Sequence, residues 1–166
     1  MSGGTAPAMI RFELPDAAAT EALGGKLALL LSQRPGLVVF LHGGLGAGKT
    51  TLARGWLRAL GASGPIRSPT YTLVEPYELQ GRHLLHLDLY RLSDAAELEQ
   101  LGLYDTPPEH SIWLVEWPER GSGELPDPDL NIFMQVSDKG REIRIEASPV
   151  IAPLLERGLG AVLHRT

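Results

Sequence analysis

The strongest structural signal in this chain is the segment Gly43-Gly44-Leu45-Gly46-Ala47-Gly48-Lys49-Thr50. It matches the pattern Gly-x4-Gly-Lys-Thr, in which x is any residue. An apolar run, residues 37–41, precedes it directly, and residues 51–60 follow it with helical periodicity. Strand, glycine-rich loop and helix in this order are the context that a phosphate-binding loop requires. The segment therefore predicts a P-loop at the junction of a buried strand and a helix.

The chemistry of this loop predicts a bound nucleotide, the alternative being a glycine-rich turn with a solvated lysine. Glycines let backbone N–H groups turn inward around phosphate oxygens, and the helix N-terminus adds its positive dipole end. In such loops Lys49 reaches the β- and γ-phosphates, the Thr50 hydroxyl holds Mg²⁺, and Thr51 is placed to donate to the α-phosphate. The expected nucleotide-binding residues are Gly43, Gly44, Leu45, Gly46, Ala47, Gly48, Lys49, Thr50 and Thr51.

Composition and charge exclude several other classes of protein. The 166 residues, with 43% apolar and 21% charged side chains, predict one globular domain over residues 1–166, with flexible ends at 1–8 and about 150–166. The chain has no cysteine, so disulfides, thiol catalysis and cysteine-ligated metals are excluded. No apolar run approaches the roughly 20 residues that span a bilayer, and no signal core begins the chain, so we expect no membrane association and a cytoplasmic location. A net charge of −5 without a basic block argues against a wide nucleic-acid footprint of this chain alone.

The order of predicted elements indicates an α/β fold. Periodicity and turn residues predict strands at 9–14, 37–41, 70–77, 83–91, 111–117, 131–136 and 142–146, and helices after Asp16, over 51–60, after Ser93 or Asp94, and weakly from Val150. Hairpins interrupt a pattern that is otherwise typical of parallel strands. We therefore predict a three-layer P-loop NTPase-like sandwich with a mixed, mainly parallel sheet.

Two acids are candidates for the catalytic carboxylates that hydrolysis needs near Mg²⁺ and the attacking water. Strand alternation puts His86, Asp88 and Tyr90 on one face, which fits either an active-site edge or an amphipathic strand with its polar side in water. Glu116 ends the apolar run at 112–115, as in the Walker B pattern, although short apolar runs that end in an acid are common. The presence of a phosphate loop in the same chain strengthens the Walker B interpretation of Glu116.

A third candidate is Thr70, in the segment Ser68-Pro69-Thr70-Tyr71 between the P-loop helix and the next strand. Many P-loop NTPases carry a mobile switch there, whose threonine hydroxyl meets the γ-phosphate and Mg²⁺. The alternative is an ordinary turn, because Ser-Pro is a common turn dipeptide. Trp117 follows Glu116 directly, where an aromatic side chain is more often packing than function. The histidines form no zinc pattern, and nothing supports a catalytic triad.

Several motifs together resemble one known family, TsaE (also called YjeE). They are Gly-Leu-Gly-Ala-Gly-Lys-Thr-Thr, Ser-Pro-Thr-Tyr-Thr-Leu-Val-Glu-Pro-Tyr, His-Leu-Asp-Leu-Tyr-Arg, Leu-Val-Glu-Trp-Pro and Leu-Pro-Asp-Pro-Asp, which occur in this order from about Leu14 to Ile145. The resemblance implies a small bacterial ATPase, weak alone and stimulated by partners, that works with TsaB and TsaD. Their joint product is N6-threonylcarbamoyladenosine at position 37 of tRNAs reading ANN codons, so tRNA is an indirect partner through the complex.

The resemblance also implies roles for individual residues and for ATP and Mg²⁺ as cofactors. Lys49 and the amides of Gly46 to Gly48 would contact phosphates, while Thr50, Glu116 and Asp88 would serve the metal. Thr70 would act in a switch-like loop, Trp117 would be functionally important, and the Gly140-Arg141 turn would lie near the adenine. One departure is Gly44, where the family usually has Asp. Any switch or metal contact of that side chain is missing here.

Two other functions compete with a tRNA-modifying ATPase subunit. A small-molecule P-loop kinase needs an acceptor pocket and usually an arginine-bearing lid, yet the arginines here are scattered singly. A nucleotide-gated adaptor with negligible turnover differs from an ATPase only through Asp88, Glu116 and Thr70. A GTPase is less favoured still, because the only asparagine is Asn131 and the Asn-Lys-x-Asp guanine motif cannot form.

Overall fold

The computed structural model describes residues 8–159; residues 1–7 and 160–166, on which most of the expected flexible ends fall, lie outside them. Strands and helices alternate at first and then give way to paired strands. The strands are β1 (Ala8–Leu14), β2 (Leu37–His42), β3 (Val74–Leu79), β4 (Arg82–Asp88), β5 (Ile112–Glu116), β6 (Leu130–Ser137) and β7 (Gly140–Ala147), and the helices are α1 (Ala17–Leu30), α2 (Lys49–Ala59) and α3 (Ala152–Leu159). None of these helices is both long and apolar enough to span a bilayer.

Within residues 8–159 the strands form one seven-stranded sheet in the order β1-β7-β6-β2-β5-β4-β3. The central strands β6, β2, β5 and β4 pair in parallel, whereas β1–β7, β6–β7 and β3–β4 pair antiparallel. Because β1 and β6 are both antiparallel to β7, only β7 and β3 run against the common direction. The predicted mixed, mainly parallel sheet is therefore confirmed.

Apolar residues cover the sheet from both sides, which confirms the three-layer arrangement. Helices α1, α2 and α3 pack on one face around Leu27, Leu52 and Leu155, which are fully buried. The other face is covered over β2, β4 and β5 by 3₁₀ turns at 95–101, 103–105 and 118–121, whose Leu98 and Leu103 pack around the buried Trp113. The central strands are buried on both faces, as parallel strands require. Their carboxyl ends are consequently the accessible edge of the sheet.

Close packing of α1 on α2 explains why a glycine stands in the middle of each helix. The Asp16 carboxylate caps the helix by accepting the N–H of Ala19 at 2.9 Å, as expected. Gly24 then lies against the backbone carbonyl of Leu52 in α2, and Gly55 of α2 lies against that of Glu21 in α1, so neither position has room for a Cβ. Glycine lowers helix propensity, but here it lets the two backbones approach.

Three boundaries differ from the prediction. The strand expected from Thr70 begins at Val74, because residues 70–73 form a turn in which the N–H of Leu73 donates to Pro69 at 2.8 Å and Leu73 has φ 65°. The next strand ends at Asp88 instead of residue 91. The helix predicted after Asp94 is the 3₁₀ helix at 95–101. The end expected to be flexible from about residue 150 is, up to residue 159, the helix α3, because Leu155 and Leu159 pack into the core.

Candidate functional site

The P-loop connects β2 to α2 at the carboxyl edge of the sheet. Gly43, Gly46 and Gly48 have φ of 154°, 76° and 105°, a region that a side chain disfavours, and Gly48 is the N-cap of α2. Asp88 and Glu116 are the last residues of β4 and β5 and are paired with each other in the parallel register. Because parallel strands end on one edge, both carboxylates lie beside the loop. The sheet register thus brings the loop and the two predicted acids together.

Hydroxyl groups connect the two acids to the loop. The Thr50 hydroxyl, in the first turn of α2, donates to Glu116 Oε1 at 2.9 Å. The Ser68 hydroxyl donates to Asp88 Oδ2 and lies 3.4 Å from Glu116 Oε2. The N–H of Tyr90 holds the other oxygen of Asp88, Oδ1, at 3.0 Å. Both carboxylates are buried, with exposures of 5% for Asp88 and 2% for Glu116. The polar face of β4 therefore faces the site and not bulk water.

Lys49 is held by the loop itself. Its Nζ donates to the carbonyl oxygens of Gly43 at 2.6 Å and Gly44 at 2.8 Å, and lies 4.2 Å from the ring centroid of Trp117. Burial lowers the pKa of Lys49 below its usual 10.5, although Glu116, Asp88 and Glu119 oppose that shift. An ammonium has three N–H groups, so one donor remains for an anion above the loop.

Trp117 and Tyr90 form an aromatic wall next to this lysine. Their ring centroids are 5.0 Å apart, and the Arg120 guanidinium lies 5.4 Å and 5.8 Å from the rings of Tyr90 and Trp117. Trp117 has φ 57°, a left-handed conformation that is unfavourable for a bulky side chain. Such strain persists only where the surroundings impose it and is frequent at functional sites. The position of Trp117 over Lys49 therefore costs some backbone conformational energy.

These side chains surround a cavity of about 390 Å³. Arg141 reaches it from the start of β7, with Nη2 3.4 Å from the carbonyl oxygen of Gly46. Of the predicted site residues, Gly43 and Gly44 do not line the cavity; their carbonyl oxygens bind Lys49 instead. Gly44, the position of the departure from the family pattern, is exposed. The lining consists of Leu45, Gly46, Ala47, Gly48, Lys49, Thr50, Thr51, Ser68, Thr70, Asp88, Tyr90, Glu116, Trp117 and Arg141.

The sequence did not single out Ser68 or His86 as site residues. Ser68 lies two positions before the predicted Thr70, and nothing in its local spacing indicates a bond to acids 20 and 48 residues away. His86 shares a strand face with Asp88, which was a usable signal. Its Nε2 lies 2.7 Å from Glu116 Oε2. Both contacts depend on strand register and loop path, which local sequence patterns do not encode.

The donor atoms of the site suit a small, hard cation. No group of three or more His, Asp or Glu residues that could hold a metal ion occurs within residues 8–159. Two carboxylates and two hydroxyls nonetheless meet beside the loop, from Asp88, Glu116, Thr50 and Ser68. Mg²⁺ takes oxygen ligands, usually one or two carboxylates completed by waters and substrate phosphates. The residues present therefore fit Mg²⁺ that arrives with a nucleotide.

Comparisons with known proteins agree on one family. Residues 14–143 match the family model for "Threonylcarbamoyl adenosine biosynthesis protein TsaE". A tRNA threonylcarbamoyladenosine biosynthesis protein TsaE of Haemophilus influenzae is 44% identical over 137 residues, covering 81% of this chain and 87% of that protein. The Bacillus subtilis protein of the same name is 38% identical over 115 residues, 69% of this chain and 72% of its own length. The crystal structure of YdiB of Bacillus subtilis superposes with a TM-score of 0.73 at 28% identity, covering 90% of this chain and 93% of that one.

Proposed function

The chain belongs to the TsaE family, and on this basis we propose that it is the ATP-binding and ATP-hydrolysing subunit needed to form N6-threonylcarbamoyladenosine in tRNA. It acts in the cytoplasm with TsaB and TsaD on position 37 of tRNAs reading ANN codons. The whole chain, residues 1–166, works as one P-loop ATPase domain. Its hydrolysis is weak alone and rises with the partners, while the threonylcarbamoyl transfer itself takes place on TsaD.

The observation that carries this proposal is the convergence of loop, lysine and acids on one cavity. Lys49, Thr50, Asp88 and Glu116 come from α2, β4 and β5, yet all line the same space of about 390 Å³. A loop that only bound phosphate would not need two buried carboxylates next to it, because burying such charges is costly unless they are paired. Their placement at the head of the P-loop fits ATP turnover better than passive binding.

Each side chain has a distinct task in this proposal. The loop amides and Lys49 bind the phosphates of ATP, and Thr51 donates to the α-phosphate. Thr50, Glu116 and Asp88 would hold Mg²⁺, which when bound neutralises charge on the phosphate oxygens. Asp88 and Glu116 also orient the attacking water. Thr70 lies on the cavity wall, where a switch residue would sense the γ-phosphate, and Trp117 and Arg141 also line the cavity.

The contacts of Lys49 support a low basal activity. Its Nζ donates to two loop carbonyls and lies against the ring of Trp117, so only one of its three donors is available to a phosphate. Among the described residues of the segment 68–73, Ser68 is the one whose side chain bonds the two acids. Partner proteins that move this segment and release the acids would raise turnover. Stimulation of this kind would couple ATP hydrolysis to the assembly of the complex with TsaB and TsaD.

One assay tests the proposal. Phosphate release from ATP and Mg²⁺ is measured for the chain alone, with TsaB and TsaD, and with candidate small-molecule acceptors, using Lys49→Ala as the inactive control. Release that rises only with the two proteins supports the proposal. ATP consumption that depends on a metabolite favours a small-molecule kinase. Nucleotide binding without release under every condition favours a nucleotide-gated adaptor.

A further inference from the structure

We propose that His86 is a positioning residue that orients the Glu116 carboxylate from behind, so that its other oxygen is presented to the metal and Thr50. The inference deepens the proposed ATPase function and rests on it. It concerns a side chain that has no access to the cavity and therefore no direct contact with substrate. Its role is to fix the orientation of the Glu116 carboxylate, which lines the cavity.

The two oxygens of Glu116 have different partners. Oε1 accepts the Thr50 hydroxyl at 2.9 Å, on the side of the P-loop. Oε2 lies 2.7 Å from His86 Nε2 and 3.4 Å from the Ser68 hydroxyl. To donate to a carboxylate, Nε2 must carry the hydrogen. The short bond from His86 is thus the strongest restraint on Oε2, and it leaves Oε1 directed towards the loop.

Sheet register explains why this bond is rigid. His86 is opposite Leu114 in the parallel β4–β5 pair, and Asp88 is opposite Glu116. His86 and Glu116 are therefore diagonal neighbours on one face of the sheet, within reach of long side chains. Both lie in central strands, whose positions the surrounding core holds. A restraint of this kind does not depend on the loop that carries Ser68.

Solvent access separates His86 from the other two partners of Glu116. Thr50 and Ser68 line the cavity, so nucleotide and metal can take over their hydroxyls. His86 is 0% exposed and is absent from the cavity lining. Its contact with Oε2 therefore persists when the site is filled. Among the described side chains it is the partner of Glu116 that ligand binding leaves in place.

The energetic cost of this imidazole also points to a function. Its Nδ1 is buried and has no hydrogen-bond partner in the described part of the chain. A buried polar atom without a partner is unfavourable, and an apolar residue would fill an interior strand without that cost. Polar groups behind a metal-binding carboxylate commonly fix its orientation, and their removal typically weakens metal affinity or activity about 10- to 100-fold.

Three substitutions at one position test the inference. His86→Gln carries an amide N–H to about the place of Nε2, His86→Asn has the same group but a shorter reach, and His86→Leu has no donor. ADP affinity is measured by calorimetry in EDTA and again across a Mg²⁺ titration, alongside ATP turnover and thermal unfolding. We expect ADP affinity in EDTA to be unchanged in all three. The Mg²⁺ concentration that half-saturates binding and turnover should rise about 10-fold or more in His86→Asn and His86→Leu. In His86→Gln it should stay close to that of the unmodified chain.

The outcomes are separable. If His86→Gln and His86→Asn both reach half-saturation at the same Mg²⁺ concentration as the unmodified chain, the positioning role is refuted, whatever the result for His86→Leu. If all three variants lose ADP affinity in EDTA in proportion to a fall in melting temperature, His86 is only a packing residue and the inference again fails. If the unmodified chain shows neither Mg²⁺-dependent ADP binding nor turnover, the proposed function itself fails. A crystal structure of the Asn variant with Glu116 rotated away from Thr50 would support the inference directly.

Discussion

Replacing Asp88 with asparagine separates the charge of this carboxylate from its structural contacts. Oδ1 accepts the N–H of Tyr90 at 3.0 Å, and asparagine keeps that acceptor. Oδ2 accepts the Ser68 hydroxyl, which can rotate and accept from an amide instead. The free energy of unfolding should therefore change by less than about 1 kcal/mol, or roughly 2–4 °C in melting temperature for a chain of this size. What is lost is the negative charge facing the cavity.

The expected effect is on turnover. Removing one preorganised charged group from a transition state typically costs about 3 kcal/mol. Since each 1.36 kcal/mol is a factor of ten, phosphate release should fall roughly 100-fold. ATP binding should persist, because the loop amides and Lys49 still contact the phosphates. Asp88→Ala should lose similar activity and also destabilise the fold, since it leaves the N–H of Tyr90 without its acceptor, at about 1–3 kcal/mol.

The assay is phosphate release by the complex with TsaB and TsaD, with nucleotide affinity and melting temperature measured on the same preparations. Asp127→Asn is the matched control, because Asp127 is exposed, lies outside the cavity lining and undergoes the same change in charge. Wild-type rates are expected for this control. Hydrolysis by Asp88→Asn within about threefold of wild type would refute the assignment of Asp88 to turnover, and a parallel loss in Asp127→Asn would trace the effect to net charge.

Three further predictions concern the loop, the helix pair and the edge strand. Lys49→Ala should weaken ATP binding by about 100-fold or more in an equilibrium titration, because two loop carbonyls and the phosphates lose a charge-assisted donor; affinity close to wild type would remove Lys49 from the site. Gly24→Ala should destabilise the protein by about 1–3 kcal/mol in urea unfolding, because its Cβ would meet the Leu52 carbonyl. Gly25→Ala is the control and should be neutral or stabilising, because the nearest atoms to its Cβ would be 3.4 and 3.6 Å away. Equal effects of the two substitutions would contradict the close packing of α1 and α2. Burial, with a smaller contribution from Glu75, raises the pKa of Tyr77 above 10.0, so the folded state favours the neutral phenol, and the free energy of unfolding should fall as pH rises through 10 and above. Tyr77→Phe should flatten this decline in urea titrations at pH 9 to 11, and an unchanged slope would show that Tyr77 is not responsible.

Local patterns predicted much of this molecule. Residues 43–50 specify a P-loop because glycine, lysine and threonine at fixed spacing are needed by the loop itself. Asp16 and Asp94 marked the starts of a helix and a 3₁₀ helix, since a capping side chain bonds a backbone N–H within three residues. The strands predicted at 131–136 and 142–146 do form a hairpin, β6 joined to β7. In each case the interaction that determines the structure lies within a few residues of chain.

Other features had no local signal. The turn at residues 70–73 was mistaken for a strand, because tyrosine, threonine, leucine and valine suit an extended chain, while the actual path is set by contacts with Asp88. Glycine at positions 24 and 55 has low helix propensity, and only the packing of α1 on α2 explains why it stands there. Ser68 has no local signal because its partners Asp88 and Glu116 are 20 and 48 residues away, and the strand pattern of His86 does not show its bond to Glu116, 30 residues away.

The sequence alone determined that a phosphate loop exists, that it stands between a strand and a helix, that Glu116 ends an apolar run, and that Asp88 lies on the polar face of an alternating strand. Tertiary structure decided that these two acids face each other across one parallel register, and which hydroxyls and imidazole hold them. The reason is physical: backbone turns and caps are short-range, whereas a carboxylate buried at 2% exposure depends on partners from separate strands and a loop. Only packing of the whole sheet brings those partners to within hydrogen-bonding distance.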